Sequence, residues 1–184
     1  MRKRDKGFSL IELLIVVAII LIIAAIAIPN LLRSRMAANE ASAVGSLRTM
    51  VTSAVTYSST WGNAFPAALG QMGGGAGVTV ATCDQSLNLD AVLSSGGVGN
   101  TSVKSGYKFL YTPGPNAFVA PAVPPTGCTT GGVTTFVIAA SPSVVGSTGQ
   151  RSFCTDEGGV VRFDSTGAVK ATTGTACAPL TPLQ

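Results

Sequence analysis

Residues 13–32 read LLIVVAIILIIAAIAIPNLL, a run of 20 residues without one charge. With residues 8–12 added, this segment makes a helix long enough to cross a hydrocarbon layer of ~30 Å at ~1.5 Å per residue. Arg2, Lys3, Arg4 and Lys6 stand just before it, and Arg33 and Arg35 just after it. The denser cluster biases the N-terminus towards the cytoplasm, which places everything after Arg33 outside. One residue does not suit a simple span. Glu12 sits one helical turn into the apolar stretch, where a central acidic residue costs about 2.5–3.5 kcal/mol and one nearer the interface costs less. An ordinary secretory leader, with Ala25-Ile26-Ala27 as its cleavage site, leaves that cost unanswered, and so does a plain membrane anchor.

Composition narrows the function classes. The chain has 184 residues and no His, so a Ser-His-Asp triad, a Cys-His pair and a His-bearing zinc site are closed to it. Its net charge of +4 comes largely from the four basic residues before residue 7. The remainder is close to balance, and bulk charge gives no support to nucleic-acid binding. Hydrophobic residues make up 46% and charged residues 11%, which excludes a disordered chain; the 22 Gly are not periodic, which excludes collagen.

The stretch Lys6-Gly7-Phe8-Ser9-Leu10-Ile11-Glu12, followed by Leu13-Leu14-Ile15-Val16-Val17-Ala18-Ile19-Ile20, closely resembles the class III leader and N-terminal helix of type IV prepilins. The resemblance is near complete from Lys6 to Pro29 and looser to about Leu69. It implies a membrane-embedded prepilin peptidase that cuts between Gly7 and Phe8 and methylates the new Phe8 terminus, so that only residues 1–7 leave. It also implies the type IV pilin fold, which is α+β: a long, bent N-terminal α-helix packed on a small antiparallel β-sheet. No enzymatic activity and no cofactor are implied. The implied role is a major pilin, a structural subunit that waits in the inner membrane and then polymerises with copies of itself into an extracellular pilus. An assembly ATPase and a platform protein would serve that process. A pseudopilin of a type II secretion system is the alternative, and a monomeric membrane-anchored binding module is a second.

Glu12 acquires a reason in this setting. Cleavage exposes an amine on Phe8, which is as unwelcome near hydrocarbon as the carboxylate. Opposite charges near 4 Å are worth about 4 kcal/mol at an effective dielectric of about 20, before desolvation. In a filament the amine of an incoming subunit can meet Glu12 of a neighbour and set the axial register.

Beyond Pro29 the pattern becomes amphipathic. Ala37, Ala41, Val44, Leu47, Val51, Ala54 and Val55 recur at three- and four-residue spacing, and Arg33, Arg35, Asn39, Glu40, Ser46 and Arg48 largely fill the other face. One helix over 8–60 is expected, about 80 Å long, with 8–29 as the membrane or filament core, 30–60 as the amphipathic half and a bend at Pro29. Gly62 suits its C-terminal turn. Residues 61–106 read as a connecting loop containing a short helix at Leu87–Ser94, capped by Ser86 and stopped by Gly96-Gly97. The sheet and C-terminal tail occupy 107–184, with strands at 107–111, 133–140, 151–155 and 160–164, about four in all. Asp156 to Gly159 forms the last turn, and a Pro-rich loop covers 113–132.

Cys83, Cys128, Cys154 and Cys177 form no CxxC, and outside the cytoplasm an even count favours two disulfides. Three connectivities are open. The expected one joins Cys154 to Cys177, clamping the tail to the sheet, and Cys83 to Cys128, tying two loops. Asp156, Glu157 and Asp164 offer oxygen ligands of the kind found near the C-terminus of some major pseudopilins, but no EF-hand spacing exists and carboxylates in a turn are usually solvated. No metal site is expected. Gly73-Gly74-Gly75 lacks the Lys-Ser/Thr of a phosphate loop. Trp61 and the other aromatics read as packing.

Overall fold

Helix α1, Leu10–Trp61, is 52 residues long. The computed structural model describes residues 8–62, 64–75, 77–94, 99–114, 131–168, 177 and 180–183. The helix starts after Ser9, whose carbonyl accepts the Leu13 N–H at 3.3 Å. It stops where Gly62, at φ +106°, returns its N–H to the Ser58 carbonyl at 3.1 Å, a left-handed terminus that a glycine adopts without strain. Pro29 lies inside the helix. Lacking an N–H, it leaves the Ala25 carbonyl without its i→i−4 donor.

The chain divides into two units between Arg35 and Met36. In the first, the large apolar side chains of α1 are exposed, Leu10 at 75% and Ile26 at 65%. This part of the helix is long and apolar enough to cross a membrane.

In the second unit α1 buries Ala43, Leu47, Met50, Ala54 and Tyr57, a stripe at helical spacing. The stripe packs on an antiparallel sheet whose strands lie in chain order: β1 Thr101–Lys104, β2 Tyr107–Pro113, β3 Phe136–Pro142, β4 Ser152–Asp156, β5 Arg162–Asp164 and β6 Thr181–Pro182. Period-two alternation divides the sheet faces. Tyr107, Phe109, Tyr111, Phe136, Ile138, Ala140 and Phe153 share one core with the helix stripe. On the other face Val137, Ala139 and Cys154 pack with Cys177 and Leu180 of the tail. Tyr111 stacks on Phe136 at 5.6 Å between centroids, and Phe65 meets Phe136 edge-on at 4.9 Å.

Several sequence expectations need correction. The sheet has six strands rather than four. Strand β1 lies within 61–106, the stretch read as a connecting loop, because four residues at a sheet edge carry too little alternation to register. The turn beside it, Ser105 and Gly106 at φ +50° and +74°, is the two-residue hairpin type that needs positive φ at both positions. Strand β6 escaped notice because it has two residues, one of them Pro182. Val133 forms only an isolated bridge with Phe65, exchanging N–H···O bonds of 2.8 and 2.9 Å, and β3 begins at Phe136.

The helix expected at Leu87–Ser94 is not formed. Leu87 has φ +57°, and Ser86, Asn88 and Leu89 donate their N–H groups to Gln71 and Met72 on the 3₁₀ turn Leu69–Met72, while Leu87 donates to Gly73 just after it. The Ser86 hydroxyl caps nothing. Asp90 does the capping instead, for a single turn, accepting from the Leu93 N–H at 2.9 Å. Gly96, Gly97 and residues 115–130 of the Pro-rich loop lie outside the described residues.

Glu40 and Ser46, assigned to the solvent face of α1, are 8% and 6% exposed. The polar stripe turns inward at Glu40 because the β3–β4 loop supplies its partners.

Candidate assembly site at the helix N-terminus

The first turn of α1 carries Glu12 as its only acid. One Glu12 carboxylate oxygen accepts the backbone N–H of Ser9 at 2.9 Å. Ser9 precedes the first helical residue and Glu12 is the third within the helix, so this is the reciprocal half of a capping box. The carboxylate satisfies a donor that helix geometry leaves open and sits at the positive end of the macrodipole. The signal, Ser9-x-x-Glu12, was present in the sequence and went unread beside the apolar run.

The geometry turns the carboxylate back towards the chain start. Ser9, not Phe8, is the donor it meets, and Phe8 is exposed. The next nitrogen along is that of Phe8, which becomes an amine if the chain is cut before it. A carboxylate holding one backbone N–H retains acceptor capacity for an ammonium group. Gly7 and the rest of the leader lie outside the described residues.

A second polar constellation, missed at the sequence level, holds the second unit together. Glu40 accepts the N–H groups of Gln150 and Arg151 on one oxygen, at 2.9 and 3.1 Å. Its other oxygen takes Arg151 Nε at 2.9 Å and Nη2 at 2.7 Å. The guanidinium also lies 5.7 Å from the Phe153 ring centroid and 5.5 Å from that of Phe163, within cation–π range. Burial pushes the Glu40 carboxyl up, but the bonds from Gln150 and Arg151 together outweigh it and hold the group below the ordinary carboxylate range. Asn39 adds a bond from its amide nitrogen to the Thr148 carbonyl at 2.9 Å.

Cys154 and Cys177 are disulfide-bonded, with Cα atoms 5.8 Å apart. Cys83 is disulfide-bonded too, and its sulfur lies 3.1 Å from the Tyr57 hydroxyl; Cys128 is outside the described residues. Desolvation raises the Tyr57 hydroxyl to a pKa of about 12, with the Asp84 charge adding to the effect. Among the described residues no three His, Cys, Asp or Glu side chains group as metal ligands. Asp156 accepts from the Gly158 N–H, and Asp164 accepts from the Thr166 N–H and hydroxyl, the bonds of ordinary carboxylate-closed turns.

Comparison with known proteins bears on the N-terminal part of this picture. Residues 2–28 match the family described as the prokaryotic N-terminal methylation motif. The chain is 63% identical over 38 residues to the "Type IV wide pilus major component PilA4" of Thermus thermophilus, covering 21% of this chain and 29% of that protein. It is 45% identical over 54 residues to the "Type IV major pilin protein PilA" of Myxococcus xanthus, covering 29% of this chain and 24% of the relative. The matches thus span less than a third of either relative. No solved structure gives a significant match. The chain thus carries an N-terminal methylation motif and partial homology to type IV major pilins, and its long helix packed on an antiparallel sheet is consistent with the type IV pilin fold.

Proposed function

We propose that the protein is the repeating, major subunit of a type IV pilus. Prepilin peptidase cuts between Gly7 and Phe8 and methylates Phe8. The subunit is held in the inner membrane by the first part of α1 until an assembly ATPase and platform protein drive it into an extracellular filament. The observation that carries this reading is the exposed apolar helix with one carboxylate in its first turn. Such a surface is an aggregation hazard in water. It is covered by lipid before assembly and by parallel copies of the same helix afterwards. Transfer from lipid to filament brings no net hydrophobic gain, so packing and the pairing of Glu12 with a neighbour's Phe8 amine hold the core.

The bend at Pro29 belongs to the same proposal. Pro29→Ala restores a donor to the Ala25 carbonyl. Spin labels on either side of residue 29 should then report a longer, narrower distance distribution; identical distributions count against a bend.

Mass spectrometry of the protein from its native host tests the processing step. The expected N-terminus is methylated Phe8, and a mature chain that begins after Ala27 overturns the reading. Electron microscopy of cells with and without the gene tests the filament, which should vanish on deletion.

A further inference from the structure

Beside the Glu40–Arg151 pair, and wholly within the second unit, α1 and the sheet border an open groove of about 370 Å³. Ala41, Val44 and Leu183 give it apolar walls, and Arg48 and Arg151 line it as cations. Arg151 is already neutralised by Glu40. Arg48 is exposed and makes no ion pair among the described residues. Helical side chains lean towards the N-terminus of their helix, which carries Arg48 over Gly45, where an added Cβ would meet nothing within 4 Å. The groove therefore suits a slim projection that bears an apolar group and a carboxylate.

The same unit presents such a projection in the turn from β4 to β5. Glu157, Gly158, Gly159 and Val160 are all exposed. The two glycines keep the tip narrow, and Asp156 fixes its shape by accepting the Gly158 N–H at 3.1 Å. Among the described residues of this unit, Glu40, Asp84, Asp90, Asp156 and Asp164 all have partners, and Glu157 has none. Tip and groove lie at different heights in one copy. Arg151, just before β4, meets Glu40, whereas the tip meets α1 at Val51, whose Cγ1 is 3.7 Å from the place of a Gly159 Cβ. From Glu40 to Val51 is about 16 Å of helix, and from Arg151 to Asp156 about 16 Å of strand. Strand β4 thus runs alongside α1, and the tip points away from the Glu40 end of the groove.

We propose that the groove receives the Glu157–Val160 tip of a second copy, with Glu157 paired to Arg48 and Val160 seated against Val44 and Leu183. The two patches differ, so the contact is heterologous: each copy offers its tip to one neighbour and its groove to another, and the contact propagates into an open array unless it closes into a ring. This rests on the reading of the chain as a repeating pilus subunit and adds to it a contact between second units that is separate from the packing of the apolar helices.

Cysteine cross-linking in filaments from the native host tests the contact. The full chain carries Gly45→Cys and Val160→Cys, singly and together, and is expressed beside the wild-type chain; Ala41→Cys gives a second groove position. Val80→Cys, at a site 72% exposed, replaces Val160→Cys in the control pair. After oxidation, a non-reducing gel should show a ladder of multimers only where groove and tip cysteines share a chain, and dimers where they are on separate co-expressed chains. Adding Glu157→Arg should lower the ladder about fivefold, the weight of an exposed ion pair. A dimer from one single variant alone, a ladder from the control pair, or a ladder indifferent to Glu157→Arg overturns the proposal. Uncross-linked subunits in intact filaments overturn it too while leaving the pilus reading in place, and absence of filaments from wild-type cells removes both.

Discussion

Glu40 on α1 and Arg151 at the head of β4 form a two-point ion pair, with Nη2 at 2.7 Å and Nε at 2.9 Å, across a sequence separation of 111 residues. The same carboxylate also binds two backbone N–H groups. It therefore joins the helix to the sheet through the loop that links β3 and β4.

Removing Glu40 leaves Arg151 and two N–H groups without their acceptor. Breaking a fully buried pair costs about 3–5 kcal/mol, and because the Arg151 side chain is 41% exposed the expectation for Glu40→Ala is about 2–3 kcal/mol once solvent screening is allowed for. Urea unfolding of the detergent-solubilised chain measures it. Glu40 has a depressed folded pKa, so its contribution is complete above the unfolded-state value near 4.3 and is lost as pH falls through the folded value. Wild-type stability should therefore fall more steeply than that of Glu40→Gln below about pH 4.

Glu12 caps the first turn through the Ser9 N–H and, in the proposed filament, also carries a charge role; two substitutions separate them. Glu12→Gln keeps an oxygen for the Ser9 N–H but has no charge; Glu12→Ala loses both. Capping losses of about 0.5–2 kcal/mol should fray the first turn only in Glu12→Ala, visible as faster amide exchange at residues 9–12. Filament yield should fall in both variants, with membrane insertion unchanged. Normal filaments from Glu12→Gln would show that charge neutralisation does not govern assembly.

Cys154→Ser with Cys177→Ser opens a bridge of sequence separation 23. The chain-entropy relation gives a loss of about 3 kcal/mol, and protease should reach the tail after residue 164 in the variant before it reaches the sheet. Non-reducing peptide mapping of the wild type is expected to recover the second bridge as Cys83 with Cys128.

Gly106→Ala tests the hairpin that the loop reading overlooked. At φ +74° an added Cβ carries the left-handed penalty, and it would come within 2.9 Å of the Thr148 Cβ. A loss of about 1–2 kcal/mol is expected from the backbone alone, measurable as a lowered thermal midpoint. An unchanged midpoint would argue against the Ser105-Gly106 turn.

The long helix and its stop near Gly62 were legible in the sequence because they depend on local properties: an unbroken apolar run, helical spacing of Leu47 and Ala54, and a glycine at a left-handed terminus. The middle strands were legible for a similar reason, since alternation in Tyr107, Phe109 and Tyr111 is a local pattern. Tertiary structure decided what local pattern cannot encode. Thr101–Lys104 becomes a strand only because β2 is there to pair with it. The segment after Ser86 gives up its helix because the 3₁₀ turn takes its N–H groups. Glu40 reads as a solvent-facing acid in any helical plot of α1, and it is buried because burial depends on what lies opposite. Gln150 and Arg151 lie opposite, brought there by two strands and a loop whose contact with the helix no spacing along the chain announces.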